Sequence, residues 1–175
     1  MWGQSPNIAP QAFSDNGYRM ELDQISRRIL AILQRDGRCP NTVIARELGI
    51  SEAAVRSRIQ ALTAAGVLQI VGLTDPSNMG FGVIAMIGVQ ASNDLGRIAE
   101  LVSTWAETTY VVISAGSFDL LIELVCTDNN DLLRVVERLR AVEGVRSTES
   151  FIYISRHKLN YAWASESDQP TKALS

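Results

Sequence analysis

Residues 51–66 read SEAAVRSRIQALTAAG. Ser51 is suited to cap a helix, because its hydroxyl can accept from a first-turn N–H that has no partner within the helix. Glu52 follows where the helix dipole favours an acid. Val55, Ile59 and Leu62 recur at helical spacing and form one buried stripe, and Gly66 stands where a helix commonly ends. At ~100° per residue, Ala53, Arg56, Ser57, Gln60 and Ala64 project to the other side. That side is small and flat for a solvated helix, with one basic and two hydrogen-bonding side chains. Such a face can approach another surface closely and read hydrogen-bonding groups on it.

The residues before this stretch extend the pattern. Residues 41–48, NTVIAREL, form a short helical run with Ile44, Ala45 and Leu48 on one side, and Gly49-Ile50-Ser51 turns the chain into the next helix. A short helix, a tight turn containing Gly and a second helix with a polar outer face predict a helix-turn-helix, whose second helix enters the major groove with its N-terminal residues at base edges. An ordinary packed helical hairpin has the same local spacing. Upstream, Leu22–Asp36 predicts a helix with a stripe of Leu22, Ile25, Ile29, Ile32 and Leu33. Asp36-Gly37 ends it, and Pro40 opens the next helix, where a missing N–H costs little. Three helices in residues 19–66 are enough for a unit with its own core.

The chain has 175 residues, 46% of them hydrophobic, and a net charge of −3. That balance is unlike a nucleic-acid binder, but its distribution is not. Residues 19–66 hold eight arginines against five acids, while residues 67–175 hold eight basic residues against thirteen acids. A basic first third and an acidic remainder predict two domains with different partners. Cys39 and Cys126 are far apart in unlike contexts, which is neither a disulfide framework nor a zinc spacing, and predicts free thiols in a reducing cytoplasm. The N-terminus carries no secretion signal, and no segment approaches the ~20 apolar residues of a membrane span. Residues 1–18, with Pro6, Pro10, Gly3 and Gly17, read as a flexible extension.

Val67–Leu73, VLQIVGL, reads as strand-like, and residues 67–81 as a linker in which Asp75-Pro76 turns the chain. From residue 82 the elements repeat: strand Val83–Ala91, helix Asp94–Glu107 with Ile98, Leu101, Val102 and Trp105 on one face, strand Tyr110–Ala115, strand Asp119–Thr127, helix Asp131–Val142, strand Ser147–Ser155. This β-α-β-β-α-β order is ferredoxin-like, so the fold class is α+β: an N-terminal three-helix helix-turn-helix domain, then a C-terminal ferredoxin-like domain over 82–162. If Leu120, Ile122, Leu124 and Cys126 face the helices, Leu121 and Val125 face away. Apolar residues on both faces of an antiparallel sheet require cover on both, and only a second copy of the chain remains to supply it. Glu123 on that outer face counts against a wholly dry contact. Arg156–Trp163 predicts a further strand, and residues 163–175 a frayed tail.

With these elements in place the chain resembles the leucine-responsive regulatory protein/AsnC (Lrp/AsnC) family of prokaryotic transcription regulators. The matching residues are LDQISRRILAILQRDGR (22–38), Asn41, IARELGIS (44–51), VRSRIQAL (55–62), GVL (66–68), DPSNMGF (75–81) and GSFDLLIEL (116–124). The resemblance covers residues from about 20 to about 162. It implies a winged-helix-like DNA-binding unit, a dimer held by the second domains and often assembled into tetramers or octamers, and DNA binding modulated by a small molecule, usually an amino acid. The implied effector site lies near a Gly-x-x-Asp turn, here Gly116-Ser117-Phe118-Asp119, with the last strand contributing through STES (147–150), hence Ser147 and Thr148. After GVL this chain reads QIVGLTDP, where many members carry a Gly-Tyr pair, a departure that does not threaten the fold and bears on the linker's contacts alone.

The candidate base-reading residues are Arg56, Ser57 and Gln60. Arg58, at the flank of the stripe, is better placed for phosphate. Asn41, Thr42 and Ser51 stand at helix starts, where N–H groups and hydroxyls meet phosphates. Each is alternatively a solvated surface group. Gly116 and Asp119 are alternatively a tight hairpin that needs Gly for a positive φ and Asp for its turn chemistry, a reading compatible with ligand binding. An Asp beside exposed backbone groups can hold an ammonium while N–H groups hold a carboxylate. His157 is the one histidine, and no catalytic set or metal-ligand cluster can be assembled, so neither a catalyst nor a cofactor is expected beyond an amino-acid effector. The expected partners are duplex DNA, the effector and further copies of the chain, at the nucleoid of a prokaryotic cytoplasm and not at a membrane. Two other functions share parts of this pattern: an architectural DNA-wrapping protein of low specificity, and an amino-acid-sensing regulatory subunit of a metabolic enzyme.

Overall fold

The computed structural model describes residues 21–158. The predicted extension 1–18, the tail 163–175 and all but three residues of the predicted strand 156–163 lie outside the described residues; Arg156, His157 and Lys158 are not in a strand. The described chain divides into two compact units, one running through Gly72 and one spanning Leu73–Lys158.

The first unit is helical. Helix α1 (Gln24–Arg35) begins at Asp23, whose carboxylate accepts from the Ser26 N–H at 2.7 Å. Helix α2 (Asn41–Leu48) follows Pro40 and ends at Gly49, which is left-handed with φ 67°. Helix α3 (Glu52–Ala64) is capped by Ser51, whose hydroxyl accepts from the Ala54 N–H at 3.2 Å. The helices bury Ile29, Ile32, Leu33, Ile44, Ala45, Val55 and Leu62 in one core, with Ile59 partly buried at its edge.

The close of α3 decides what comes next. The Val67 N–H donates to the Leu62 carbonyl at 2.9 Å and the Gly66 N–H to the Thr63 carbonyl at 3.0 Å, with Gly66 at φ 69°. This pairing is a Schellman motif, which needs a residue that tolerates φ > 0. The Leu68 N–H also turns back to Leu62, and Leu68 is buried in the helical core. The first two donors of the predicted strand Val67–Leu73 are therefore spent on the helix end, and the stretch is not a strand. Ile70 and Leu73 are left 53% and 69% exposed. Pro76–Met79 then forms a single 3₁₀ turn, capped by Asp75.

The second unit contains strand β1 (Val83–Ala91), helix α4 (Leu95–Ser103), strands β2 (Thr108–Ile113) and β3 (Leu120–Cys126), helix α5 (Asn129–Arg140) and strand β4 (Val145–Ile152). The sheet order is β2-β3-β1-β4, and the three pairings are antiparallel. Ala85, Ile87, Val89 and Ala91 of β1 and Leu120, Ile122, Leu124 and Cys126 of β3 pack with Ile98 and Val102 of α4 and with Leu132, Val135, Val136 and Leu139 of α5. The alternation predicted for β3 thus puts its four expected residues toward the helices.

Several boundaries move for local reasons. Helix α4 stops at Ser103 instead of Glu107, because the Ser103 hydroxyl donates to the Ala99 carbonyl at 2.7 Å and the Thr104 hydroxyl to Leu101 at 2.6 Å. Such back-bonding competes with the continuing ladder. Within the helix Ile98 and Val102 are buried but Leu101 of the predicted stripe is exposed, while Trp105, beyond the helix end, packs at the edge of the core with the Arg138 guanidinium 3.7 Å above its ring. Helix α5 begins two residues early because Asp128 caps both the Asn130 and the Asp131 N–H groups.

The outer sheet face presents Ile84, Met86 and Gly88 of β1, Leu121, Glu123 and Val125 of β3, and Phe151 of β4, as the register requires. Phe118 lies against this face over Gly88; a Cβ at Gly88 would stand 2.7 Å from the Phe118 ring. Phe118 meets Phe151 edge to face, with centroids 6.0 Å apart. Glu123 is tied down rather than free: its two oxygens accept from the Tyr153 hydroxyl at 3.4 Å and from the Thr109 hydroxyl at 3.2 Å. Burial, and then the Glu123 charge, push the Tyr153 hydroxyl above its ordinary pKa.

Candidate nucleic-acid interface and effector turn

Helix α3 is amphipathic in an unusual sense. Its inner side fits the core, and Ala53, Arg56, Ser57, Gln60 and Ala64 are all exposed on the other. Two alanines and a serine keep the backbone within reach of an opposing surface. Arg56 Nη2 donates to Glu52 Oε1 at 2.7 Å, one turn back on the same helix. Asn41 and Thr42 open α2, and Ser51 opens α3 with its hydroxyl hydrogen still available.

Arg58 departs from its expected place. Its Nη1 reaches across to α1, 2.6 Å from Asp23 Oδ2 and 3.1 Å from the Ser26 hydroxyl. The residue predicted to meet phosphate instead ties α3 to the start of α1. The cause lies in the cap: Asp23 turns its carboxylate inward to satisfy the Ser26 N–H, and this leaves an oxygen facing α3. The Ser26 N–H, then the Ser26 hydroxyl and Arg58, hold the Asp23 carboxyl down at about 2.

In the second unit, the turn between β2 and β3 holds Gly116, Ser117 and Asp119. Gly116 does not take the positive φ predicted for it. The turn is closed instead by Ser114, whose N–H donates to the Asp119 carbonyl at 2.9 Å and whose hydroxyl donates to the Phe118 carbonyl at 2.6 Å. Asp119 is already in use. Its Oδ2 accepts from the Ala91 N–H at 2.8 Å and lies 3.7 Å from Arg146 Nη2. The reason is a β-bulge: the β1–β4 register shifts between Gln90 and Ala91, so that Ser147 opposes Gln90 and Val145 opposes Ala91. Arg146 is the extra residue, and a bulge of this kind re-aims a side chain and leaves a ladder group unpaired. Asp119 supplies the missing acceptor.

Ser117 and Ser147 are joined through a residue that the sequence reading omits. The Gln90 amide donates to the Ser117 carbonyl at 3.0 Å and accepts from the Ser147 hydroxyl at 2.8 Å. Thr148 is separated from this group. It pairs with Val89 of the inner face, and its hydroxyl accepts from Arg140 Nε at 2.8 Å. A polar residue near the end of the apolar run VIAMIGVQA is the signal that marks Gln90 in the sequence. The bulge that aims Arg146 leaves no such trace.

Among the described residues no group of His, Cys, Asp or Glu could hold a metal ion, and no helix is long and apolar enough to cross a membrane. Cys39 is partly exposed and free, and Cys126 is buried with its thiol pushed up to about 11 by burial and by the acids Asp131 and Glu107.

The family model for the AsnC-type helix-turn-helix domain matches residues 22–63, and that for the Lrp/AsnC ligand binding domain matches residues 83–163. An uncharacterised HTH-type transcriptional regulator of Pyrococcus horikoshii is 31% identical, over 82% of this chain and 93% of that protein. The HTH-type transcriptional regulator AldR of Mycolicibacterium smegmatis is 34% identical over 74% of this chain and 80% of its own length. Among solved structures, the L-Met complex of a transcriptional regulator from Neisseria meningitidis aligns with a TM-score of 0.70 at 25% identity, covering 81% of this chain and 95% of that one.

The Asp23 carboxyl generates a pH test. A folded-state value of about 2, below the ordinary 3.8, means that its contribution to stability is present above about pH 4 and is lost as pH falls through about 2. Denaturant unfolding of the wild type is expected to weaken across that window more than that of Asp23→Asn. NMR titration of the Asp23 carboxyl checks the cause, and a value near 3.8 contradicts the cap described above.

Proposed function

Because the chain belongs to the Lrp/AsnC family of transcriptional regulators, we propose that it reads duplex DNA with the exposed face of α3 and that an amino acid at the 116–119 turn tunes that reading. The chain is a regulator with a helix-turn-helix and a ligand-binding domain, not an enzyme. The observation that carries the DNA reading is the face of Ala53, Arg56, Ser57 and Gln60, small enough for close approach and exposed along its length. Arg56 presents the fork that suits guanine, and Ser57 and Gln60 can donate or accept at neighbouring base edges. Ser51, Asn41 and Thr42 take phosphates from the helix starts. Arg58 has a different part: it holds α3 at its angle to α1.

For the effector, Gln90 joins Ser117 to Ser147 at one end of the sheet, and the neighbouring Ala91 N–H holds Asp119, with Arg146 beside the carboxylate. Asp119 Oδ1 is the oxygen left for an ammonium, and the turn is open at Gly116. An amino acid is favoured by this pairing of opposite charges and by the L-Met bound to the Neisseria meningitidis relative. Thr148, on the inner face, lies apart from this group, with its hydroxyl accepting from Arg140. The apolar outer face of the sheet supports the dimer expected through residues 82–162, with higher assemblies built from it; membership of a family of transcriptional regulators supports action at the nucleoid in the cytoplasm.

Three measurements test these readings. Arg56→Ala is expected to lose ~1–3 kcal/mol of discrimination at one base position. Titrations against preferred and random duplexes decide, and equal losses on both remove Arg56 from base reading. Sedimentation at micromolar concentration is expected to give a dimer or larger, and a monomer sinks the role of the outer face. In thermal-shift screens one or more amino acids should raise the melting temperature. Asp119→Asn, which keeps an acceptor for the Ala91 N–H, should abolish that shift and the ~5–150-fold change in DNA affinity typical of such coupling. A mutant that keeps its full response places the site elsewhere.

A further inference from the structure

Glu52 is the first residue of α3, at the end that meets base edges when a helix-turn-helix binds DNA. A carboxylate there faces a surface of phosphates and should weaken binding. Its benefit to the free protein is modest, since both an exposed pair one helical turn apart and a place at the positive end of the helix dipole stabilise only weakly. Yet Glu52 Oε1 stands 2.7 Å from Arg56 Nη2, with the two side chains 43% and 61% exposed.

The surroundings of the two arginines of α3 differ sharply. Arg58 is held by Asp23 and Ser26 and turned into the helical unit. Arg56 has Glu52 as its one partner among the described residues. Guanidinium carries five N–H donors in a planar fork, so a bond through one Nη2 hydrogen leaves the other Nη2 hydrogen to form a parallel pair with Nε or Nη1. A guanine is read by two parallel donors on O6 and N7. An arginine on a long free stem has a competing choice, the phosphates on either side of the groove, which attract it more strongly at a distance and carry no sequence information.

Resting on the reading of Arg56 as a base contact, we propose that Glu52 is a positioning residue for base recognition: its carboxylate holds the Arg56 guanidinium over the groove and keeps it off the flanking phosphates. The acid gives up overall affinity and gains discrimination. It orders the arginine before DNA arrives, so less freedom is lost on binding, and its own negative charge makes the phosphate-bound alternative unfavourable for the pair.

The test is selection and titration on a randomised duplex pool with the full chain, comparing wild type, Glu52→Gln, Arg56→Ala and the double variant. Gln keeps the size and an acceptor oxygen but not the charge. Glu52→Gln should bind random duplex more tightly, with a salt slope steeper by about one unit as Arg56 moves to a phosphate. The ratio of preferred to random binding should fall about tenfold, within the roughly 5–150-fold that a bidentate guanine contact is worth. In the Arg56→Ala background, Glu52→Gln should leave the ratio as it is. A role limited to helix stability would lower the melting temperature and move all duplexes together. If Glu52→Gln leaves the ratio unchanged while Arg56→Ala lowers it, the inference is overturned and the base-contact reading stands. If Arg56→Ala also leaves it unchanged, both fall.

Discussion

Four strands have two faces, and the helices of the second unit cover one of them. That constraint runs through everything else in residues 73–158. Side chains alternate along a strand, so packing Ala85, Ile87 and Val89 under the helices commits Ile84, Met86 and Gly88 to the other side. The register of β3 and β4 then adds Leu121, Val125 and Phe151 to the same surface. A one-residue slip would exchange the two sets and bury Glu123 and Glu149 under α4 and α5, so the inner core enforces the composition of the outer face. The polar group at Gln90, Ser117, Asp119 and Ser147 sits where this regularity breaks, at the bulge that gives β4 one residue more than β1.

The first unit shows how capping and recognition compete for the same side chains. Asp23 starts α1 and, through Arg58, fixes α3. A helix that must present its outer side to DNA has to be held by its inner side and its flanks. Arg58 occupies such a flank. Two basic residues only two positions apart on α3 therefore have unlike environments, one tied into the fold and one left at the surface.

Much of this was legible in the residues. The 3.6-residue stripes of the helices, the Asp and Ser caps, Gly49 and Gly66 at helix ends and the period-two pattern of β1 and β3 are local signals, and the elements they mark lie where their spacing puts them. What was not legible depends on partners distant in sequence. VLQIVGL has the composition of a strand, but its first donors belong to the end of α3. Ser103 and Thr104 break a helical stripe that continues past them in pattern. Arg58 looks like any surface arginine until Asp23, 35 positions away, is brought beside it. Asp119 reads as a turn residue, and only the bulge between Gln90 and Ala91 gives its carboxylate a backbone donor to satisfy. Thr148 shares a motif with Ser147, yet the pleat sends the two to opposite faces.

The ring of Phe118 rests where Gly88 has no side chain, and this contact ties two regions that the secondary structure keeps apart. Phe118 precedes Asp119, so the close of the turn is pinned twice, by a carboxylate in the bulge and by an aromatic plate seated in a notch of the sheet. The notch has room for a hydrogen atom and nothing larger. A methyl group at position 88 would lift the plate, and the surface would exchange a smooth floor for a ridge. The relief of the sheet's open face is thus moulded by a loop, and any displacement of that loop is written directly into the shape that a neighbouring molecule would meet.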